Sequence, residues 1–301
     1  MRNAFIEELV SLATANSHIA LIVGDLGYGV VEPFADRFPD RFINAGVAEQ
    51  NMTGLAAGLA SEGYHVFTYS IANFPTFRCA EQIRNDIDYH KLPVTVVAVG
   101  GGLAYGNLGY SHHAVQDYAL MRCMPNMLIA APGDPMEVRA CMRYLVNNPQ
   151  PSYLRLGKAG EPCIHNDVPE IKPGKWLTHK VGHRNDINYL TTGATLNLVN
   201  QLLVNNSDYD SCSLNSMPLW SMKTKVDQLS QIEKYNNVIT VEDHLQDGGF
   251  GSWLMESASI NSALLCRIKL RSLDSIICGM VAQQSVLNHE GGLNSSILFN
   301  G

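Results

Sequence analysis

A single carboxylate stands where an apolar, strand-like run gives way to a helix rich in small residues. The segment reads "FINAGVAEQNMTGLAAGL", and Glu49 falls in the first turn of the expected helix. No lysine or arginine lies three or four residues away to form a helical ion pair with it. An acid in a first turn commonly serves only the helix dipole. Because this one directly follows a strand, it is also a candidate for acid–base chemistry.

Two aromatic residues follow the next strand-like run. The motif "NFPTF" places Phe74 and Phe77 three residues apart, which predicts one shared face of a helix over 73–90. Such a pair usually packs into a core. Beyond a strand end, an aromatic ring is also in position to stack on a planar heterocycle.

A glycine-rich loop with two histidines follows the third run. The loop "GGGLAYGNLGYSHH" lets backbone approach a ligand closely but lacks the lysine of a phosphate-binding P-loop. His112 and His113 are neighbours that point in different directions, and no third ligand is placed by spacing. We therefore assign no metal ligand to this chain. A histidine that hydrogen-bonds a ligand and a histidine in a solvated loop both remain open.

The elements that must position these residues alternate between helix and strand. Apolar strand runs such as "HIALIVGD", "HVFTYS" and "VTVVAVG" are separated by helical patterns. This predicts an α/β fold with two open, mostly parallel sheets, each covered by helices. In such sheets ligands bind beyond the carboxyl ends of the strands, so the acid, the aromatic motif and the glycine-rich loop are expected to converge.

The stretch "NDVPEIKPGK" interrupts this alternation with prolines and charges. It predicts two domains, 1–170 and 176–301. A shorter alternation follows, and the last stretch, "NHEGGLNSSILFNG", is expected to be poorly ordered.

Composition excludes several classes of partner. The net charge is −7 and no basic run occurs, which argues against nucleic acid. Seven cysteines are scattered without a C-x-x-C pair, as expected for free thiols in a reducing compartment. We find neither a secretory signal nor an apolar run long enough to span a membrane. A cytoplasmic protein with no membrane partner is expected.

Taken in order, these motifs resemble a known family. The segments from "FINAGVAEQN" through "NFPTF" and "GYSHHAVQDYALMRCMPNMLIAAPGDPMEV" to "PSYLRLGK" are similar to the pyrimidine-binding domain of transketolases and deoxyxylulose-phosphate synthases. Downstream, "TTGATLNLV" and "VITVEDHLQDGGFGS" resemble the C-terminal domain of the same enzymes. The resemblance implies transfer of a two-carbon ketol unit between a ketose donor and an aldehyde acceptor, with thiamine diphosphate as cofactor.

The resemblance also implies a role for Glu49. In the family this acid hydrogen-bonds N1′ of the aminopyrimidine ring and favours the imino tautomer, whose nitrogen removes the C2 proton of the thiazolium. A carboxylate without a cationic partner suits this role, because a nearby cation would lower its proton affinity.

Other positions match the family's cofactor and substrate contacts. Phe74 matches the aromatic residue that stacks on the pyrimidine, with Ile71 and Phe77 at neighbouring wall positions. Asp25 matches an acid that lines the cofactor cleft, although a strand-end cap would explain it as well. His112 matches a histidine that contacts substrate oxygens.

The sequence departs from the family in two ways: it lacks the diphosphate-binding motif, and several positions that match substrate contacts are replaced. No Gly-Asp-Gly motif for the diphosphate and Mg²⁺ occurs. This implies a split enzyme, in which an N-terminal transketolase subunit supplies the Mg²⁺ ligands in an α₂β₂ heterotetramer. The cationic positions that match substrate contacts remain as Arg2 and Lys158. Three other contacts are replaced, by Gly29, Gly100 and Leu108.

Two other kinds of protein stay open. One is the β subunit of a 2-oxo-acid dehydrogenase or a deoxyxylulose-phosphate-synthase-like enzyme. The other is a non-catalytic paralogue that keeps the fold for binding or regulation.

Overall fold

The apolar runs form two sheets, as expected. The computed structural model describes residues 1–183, 186–206 and 209–295. The strands in this part are β1 (Ile19–Val23), β2 (Phe42–Asn44), β3 (His65–Ile71), β4 (Val94–Val99), β5 (Leu128–Ala130), β6 (Ser152–Leu156), β7 (Leu177–Lys180), β8 (Ile187–Thr191), β9 (Ser213–Ser216), β10 (Leu219–Trp220), β11 (Asn237–Leu245) and β12 (Ile268–Leu273). The α-helices are α1 (Arg2–Ala15), α2 (Glu32–Arg37), α3 (Glu49–Ser61), α4 (Ala80–Gln82), α5 (Asp117–Arg122), α6 (Pro135–Asn147), α7 (Thr195–Val204), α8 (Leu229–Ile232), α9 (Phe250–Ala258), α10 (Ser262–Leu265) and α11 (Gln284–Glu290).

The first sheet has the order β10-β5-β6-β4-β3-β1-β2 and is parallel except at β10, which pairs antiparallel with β5. Alternate residues of its central strands face two cores. Val96 of β4 packs in the core that includes Met52 of α3, while Val97 packs in the core that includes Phe5 of α1. Burial on both faces explains why these strands are continuously apolar.

The second sheet has the order β12-β11-β8-β9-β7 and is parallel except for the edge pair β7–β9. The predicted α/β class with two mostly parallel sheets is therefore confirmed. Residues 157–176 between the two sets of strands contain neither helix nor strand. The division at 170–176 falls in this segment and stays a prediction.

The predicted helix over 73–90 is wrong at its start. Residues 72–76 form a turn, Phe77–Cys79 a 3₁₀ helix and Ile83–Asp88 a π-helix, with only α4 between them. Pro75 has no N–H to donate, and the Thr76 hydroxyl donates to the Ala72 carbonyl at 2.7 Å. These local bonds replace the first helical turn.

The stretch expected to be poorly ordered begins inside α11, and its residues 296–301 lie outside the described part. All seven cysteines are free, as predicted. Among the described residues, the helices are too short or too polar to cross a membrane.

Candidate active site

Glu49 is the first residue of α3 and its side chain is buried, with 2% of its surface exposed. Its carboxylate is not alone. Nη1 of Arg78 donates to Oε2 of Glu49 at 2.7 Å, across 29 residues of sequence. The expectation of a carboxylate without a cationic partner is therefore wrong. The short 3₁₀ helix Phe77–Cys79 supplies the cation, which helical spacing around Glu49 could not reveal.

Arg78 also covers the ring of Phe74. The guanidinium carbon lies 5.0 Å from the ring centroid, within cation–π range. The His112 ring meets Phe74 edge-on, with centroids 5.4 Å apart. The site is therefore a flat cation held between an aromatic face and a buried carboxylate, with an imidazole at the edge of the aromatic ring.

Phe74 and Phe77 do not share a helix, and Ile71 ends the strand before them. Phe77 begins the 3₁₀ helix and is 47% exposed, whereas Phe74 lies in the preceding turn and is half-buried. The expected shared helical face is wrong because no α-helix covers both residues. Ile71 ends β3, and its carbonyl accepts the N–H of Phe74 at 2.8 Å, which fixes the turn that presents the ring.

The histidine loop is tied to the same turn. Nδ2 of Asn73 donates to the carbonyls of Ser111 and His113, at 3.1 and 2.9 Å. His112 is half-buried and its Nδ1 lies 3.0 Å from the Ser111 hydroxyl. Burial and the neighbouring His113 lower the pKa of His112, so the imidazole is neutral at pH 7. His113 is buried, with Nε2 3.3 Å from the Gly106 carbonyl, and holds the loop in shape.

Asp25 lies beyond the carboxyl end of β1 and is exposed, with a positive φ of 54°. Asn44 and Tyr28 both donate to its Oδ1, at 3.0 and 2.8 Å. These hydrogen bonds lower the pKa of Asp25, and the one from Asn44 has the larger effect. They keep the carboxylate ionised. A Cβ built on the adjacent Gly24 would lie 3.6 Å from Cγ of Glu49, so it is Gly24, next to Asp25 in the chain, that packs beside the buried acid.

The two cationic positions lie at the two ends of the first half of the chain. The terminal ammonium of Met1 approaches the Lys158 carbonyl at 3.4 Å and pairs with Glu161 at 2.7 Å. The backbone at the start of α1, where Arg2 lies, is therefore near the backbone of Lys158. Arg2 is half-buried and interacts with the Tyr69 hydroxyl. Burial raises the pKa of Tyr69, and the nearby charge of Arg2 partly offsets this. Lys158 is exposed and lines a cavity of about 380 Å³ with Asn107.

The replaced contacts have structural explanations in two cases. A Cβ at Gly100 would lie 2.1 Å from Cε2 of Tyr105, so the tyrosine ring occupies the space a side chain would need. Gly29 has a φ of +75° and open space around it. Leu108 is 52% exposed, and its apolar side chain offers no hydrogen-bonding group in place of a carboxylate.

The structure thus brings Glu49, Phe74 and His112 together, and sets Arg2 near Lys158. Sequence reasoning missed Arg78. The one available signal for Arg78 was a cation directly after the aromatic motif, in "NFPTFR".

Comparisons with known proteins place these features in a family. A family model described as "Transketolase, pyrimidine binding domain" matches residues 1–160. An apulose-4-phosphate transketolase subunit of Phocaeicola vulgatus is 32% identical over 264 residues, covering 86% of this chain and 84% of the relative. A 1-deoxy-D-xylulose-5-phosphate synthase of Clostridium perfringens is 29% identical over 262 residues, covering 84% of this chain and 41% of the relative. A solved structure described as "Split gene transketolase, inactive beta4 tetramer" superimposes with a TM-score of 0.85 at 29% identity, covering 99% and 95% of the two chains.

Proposed function

The chain belongs to the transketolase family, and we propose that it is the pyrimidine-binding subunit of a split, thiamine-diphosphate-dependent transketolase. The observation that carries the proposal is the placement of Arg78. A planar cation lies against Phe74 and bonds Glu49. An aminopyrimidine ring is likewise planar and carries a nitrogen that a carboxylate can hold protonated, so the residues present fit this group.

In this proposal Glu49 holds a proton at N1′ of the pyrimidine, and burial of its carboxylate excludes competing water. Phe74 orients the ring, with Ile71 and Phe77 beside it, and Asp25 borders the cleft. His112, neutral at pH 7, donates to or accepts from substrate oxygens. When bound, the cofactor supplies the nucleophilic carbon that the side chains of this subunit lack. Arg78 must move aside, and its 48% exposed side chain has room to do so.

The proposed reaction transfers a two-carbon ketol unit from a ketose to an aldehyde. Arg2 and Lys158 are suited to hold an anionic group on the sugar. Tyr105 fills the space of one replaced contact and offers a hydroxyl there, so we expect a substrate preference different from that of an enzyme with a histidine at this position.

We further propose an α₂β₂ assembly with an N-terminal transketolase subunit that supplies the diphosphate and Mg²⁺ ligands, located in the cytoplasm. The relative described as an inactive β₄ tetramer supports the view that such a subunit needs its partner. The free cysteines agree with a reducing compartment.

The test is to purify the chain alone and together with the N-terminal subunit. We expect tight, Mg²⁺-dependent binding of thiamine diphosphate and ketol transfer only in the mixture. Tight binding to the isolated chain would refute the split site. Absence of turnover by the mixture on both ketoses and 2-oxo acids would favour the non-catalytic paralogue.

A second candidate function rests on the synthase relatives. Pyruvate decarboxylation with an aldehyde phosphate as acceptor would indicate a deoxyxylulose-phosphate-synthase-like enzyme. Activity on 2-oxo acids with a lipoyl or similar acceptor would indicate the β subunit of a 2-oxo-acid dehydrogenase. Assaying ketose donors against 2-oxo acids distinguishes a transketolase from the other two enzymes. The acceptor, an aldehyde phosphate or a lipoyl group, then distinguishes the synthase from the dehydrogenase.

A further inference from the structure

A second cluster of ligand-type side chains lies where the first half of the chain meets the second sheet. Glu137 is in the first turn of α6, His165 is in the segment before β7, and His179 is in β7. One ligand atom from each lies within 4.8 Å of the other two. The side chains are 0%, 15% and 3% exposed, respectively. The transketolase proposal gives this cluster no part.

His165 is oriented with a free nitrogen. Its Nδ1 lies 3.0 Å from Oδ2 of Asp134, the residue that caps α6. The same oxygen accepts the N–H groups of Ile164 and His165, both at 2.8 Å, so the carboxylate acts as acceptor. Nδ1 therefore carries a proton, and in the neutral imidazole Nε2 keeps a lone pair. That Nε2 is buried and has no hydrogen-bond partner among the described residues. Histidines that bind metals usually donate their other ring N–H to a carboxylate, carbonyl or water, as Nδ1 of His165 does here.

The other two ligands have a matching separation. Nε2 of His179 lies 3.3 Å from Oε1 of Glu137. Two ligands at tetrahedral Zn²⁺ are about 3.4 Å apart, because each bond is about 2.0–2.2 Å long. The Ser216 hydroxyl donates to Oε1 of Glu137 at 2.5 Å and lies 2.9 Å from Nε2 of His179. Nε2 of His179 lies within hydrogen-bond distance of both the Ser216 hydroxyl and Oε1 of Glu137. A bound metal ion would therefore take the place of the proton on this nitrogen.

We propose that Glu137, His165 and His179 bind one divalent transition-metal ion, Zn²⁺ before others, with water as the fourth ligand. Two imidazoles and one carboxylate are a common zinc ligand set. The ion would connect α6 of the first sheet's layer to β7 of the second sheet through the intervening segment. Its role would be to lock the two halves together.

The test uses the full-length, untagged chain after treatment with a chelator and dialysis. Calorimetry with Zn²⁺ should give one ion per chain, and Zn²⁺ should raise the melting temperature. Co²⁺ should give the visible absorption of a tetrahedral site, without a thiolate charge-transfer band. His165→Gln and His179→Gln should each weaken binding by about 100-fold or more.

Two control variants separate this site from other ligands. His289 has a 69% exposed side chain, and His289→Gln should bind metal as the wild type does. Cys163 is exposed and near His165 in sequence, and Cys163→Ser should also bind normally. A thiolate band, loss of binding in Cys163→Ser, unchanged binding in both histidine variants, or no stoichiometric binding by the wild type would overturn the proposal. If the histidine variants fail to fold, the wild-type stoichiometry and Co²⁺ spectrum still decide it.

Discussion

At the scale of single residues, the site is defined by one carboxylate and two flat groups that compete for it. Arg78 bonds Glu49 and covers Phe74 in the chain as it folds by itself. The pyrimidine of the proposed cofactor needs the same two contacts. In the proposed function, the ion pair with Arg78 therefore compensates the buried charge of Glu49 until the cofactor binds.

Glu49→Gln should leave folding nearly unchanged, because an amide oxygen still accepts from Arg78. It should lower the activity of the assembled enzyme by about 100-fold or more, because a neutral amide cannot hold the proton at the pyrimidine. Steady-state kinetics with saturating cofactor measures this. Glu81→Gln, at an exposed glutamate of α4, is the matched control and should be silent. Loss of less than a few-fold would leave Glu49 with only a structural role.

Arg78→Met should strengthen cofactor binding if Arg78 competes for the site. The Arg78 side of the ion pair is 48% exposed to solvent, so the pair contributes about 0.2–1 kcal/mol, equivalent to at most about fivefold in affinity. Activity of the assembled enzyme as a function of thiamine diphosphate concentration gives the apparent affinity. Arg84→Met, at an exposed arginine whose partner is its neighbour Asn85, should change nothing. Weaker cofactor binding in Arg78→Met would instead make Arg78 a cofactor contact.

At the scale of elements, the glycine-rich loop after β4 is shaped by the fit of Tyr105 over Gly100. Gly100 follows β4 with a φ of +81°, a conformation that costs an L-residue about 1–2 kcal/mol. The tyrosine ring then fills the space above it. The loop thus replaces a side chain at one position with an aromatic ring five residues later.

Gly100→Ala should destabilise the isolated chain by about 2–4 kcal/mol, from backbone strain and from the clash with Tyr105. Thermal unfolding followed by circular dichroism measures it. Adding Tyr105→Ala should relieve the steric part and leave only the backbone cost. Gly54→Ala is the control, because Gly54 lies in α3 with nothing within 4 Å of its missing Cβ, and it should be neutral or stabilising by up to about 1 kcal/mol. Equal effects at both glycines would contradict the argument.

At the scale of the whole molecule, a buried charge network joins the two sheets. Arg155 of β6 donates to Asp117 of α5 at 2.7 Å and to Asp243 of β11 at 2.6 Å. The guanidinium also lies 4.4 Å from the Tyr118 ring centroid and bonds the Ala114 carbonyl at 2.8 Å. Strand β10, from the second half of the chain, adds to the first sheet as well. The two halves of the chain are therefore joined by a polar network and by a strand pairing.

Arg155→Met should cost about 3–5 kcal/mol of stability, because it leaves two buried carboxylates without their cation. Urea unfolding of the isolated chain measures the loss. Lys175→Met removes a surface pair with Asp227, whose lysine is 51% exposed, and should cost less than about 1 kcal/mol. A comparable loss in both variants would mean that the Arg155 network contributes no more than a surface pair.

The sequence by itself determined the features that depend on neighbouring residues. Continuous apolar runs predicted the parallel strands, because burial on both faces leaves no room for alternation. The start of α6 is of the same kind, since Asp134 caps the helix and Pro135 begins it, and a cap and a proline act on the first turn directly. The position of Glu49 after a strand and at the start of a helix followed in the same way.

Only the tertiary structure decided which side chains meet. Arg78 reaches Glu49 across 29 residues, and Arg155 reaches Asp243 across 88, distances over which spacing along a helix or strand carries no information. The cluster of Glu137, His165 and His179 likewise draws on a helix start, an irregular segment and an edge strand. Helix and strand periods place residues on faces, but the packing of elements from distant parts of the chain sets the distance between those faces.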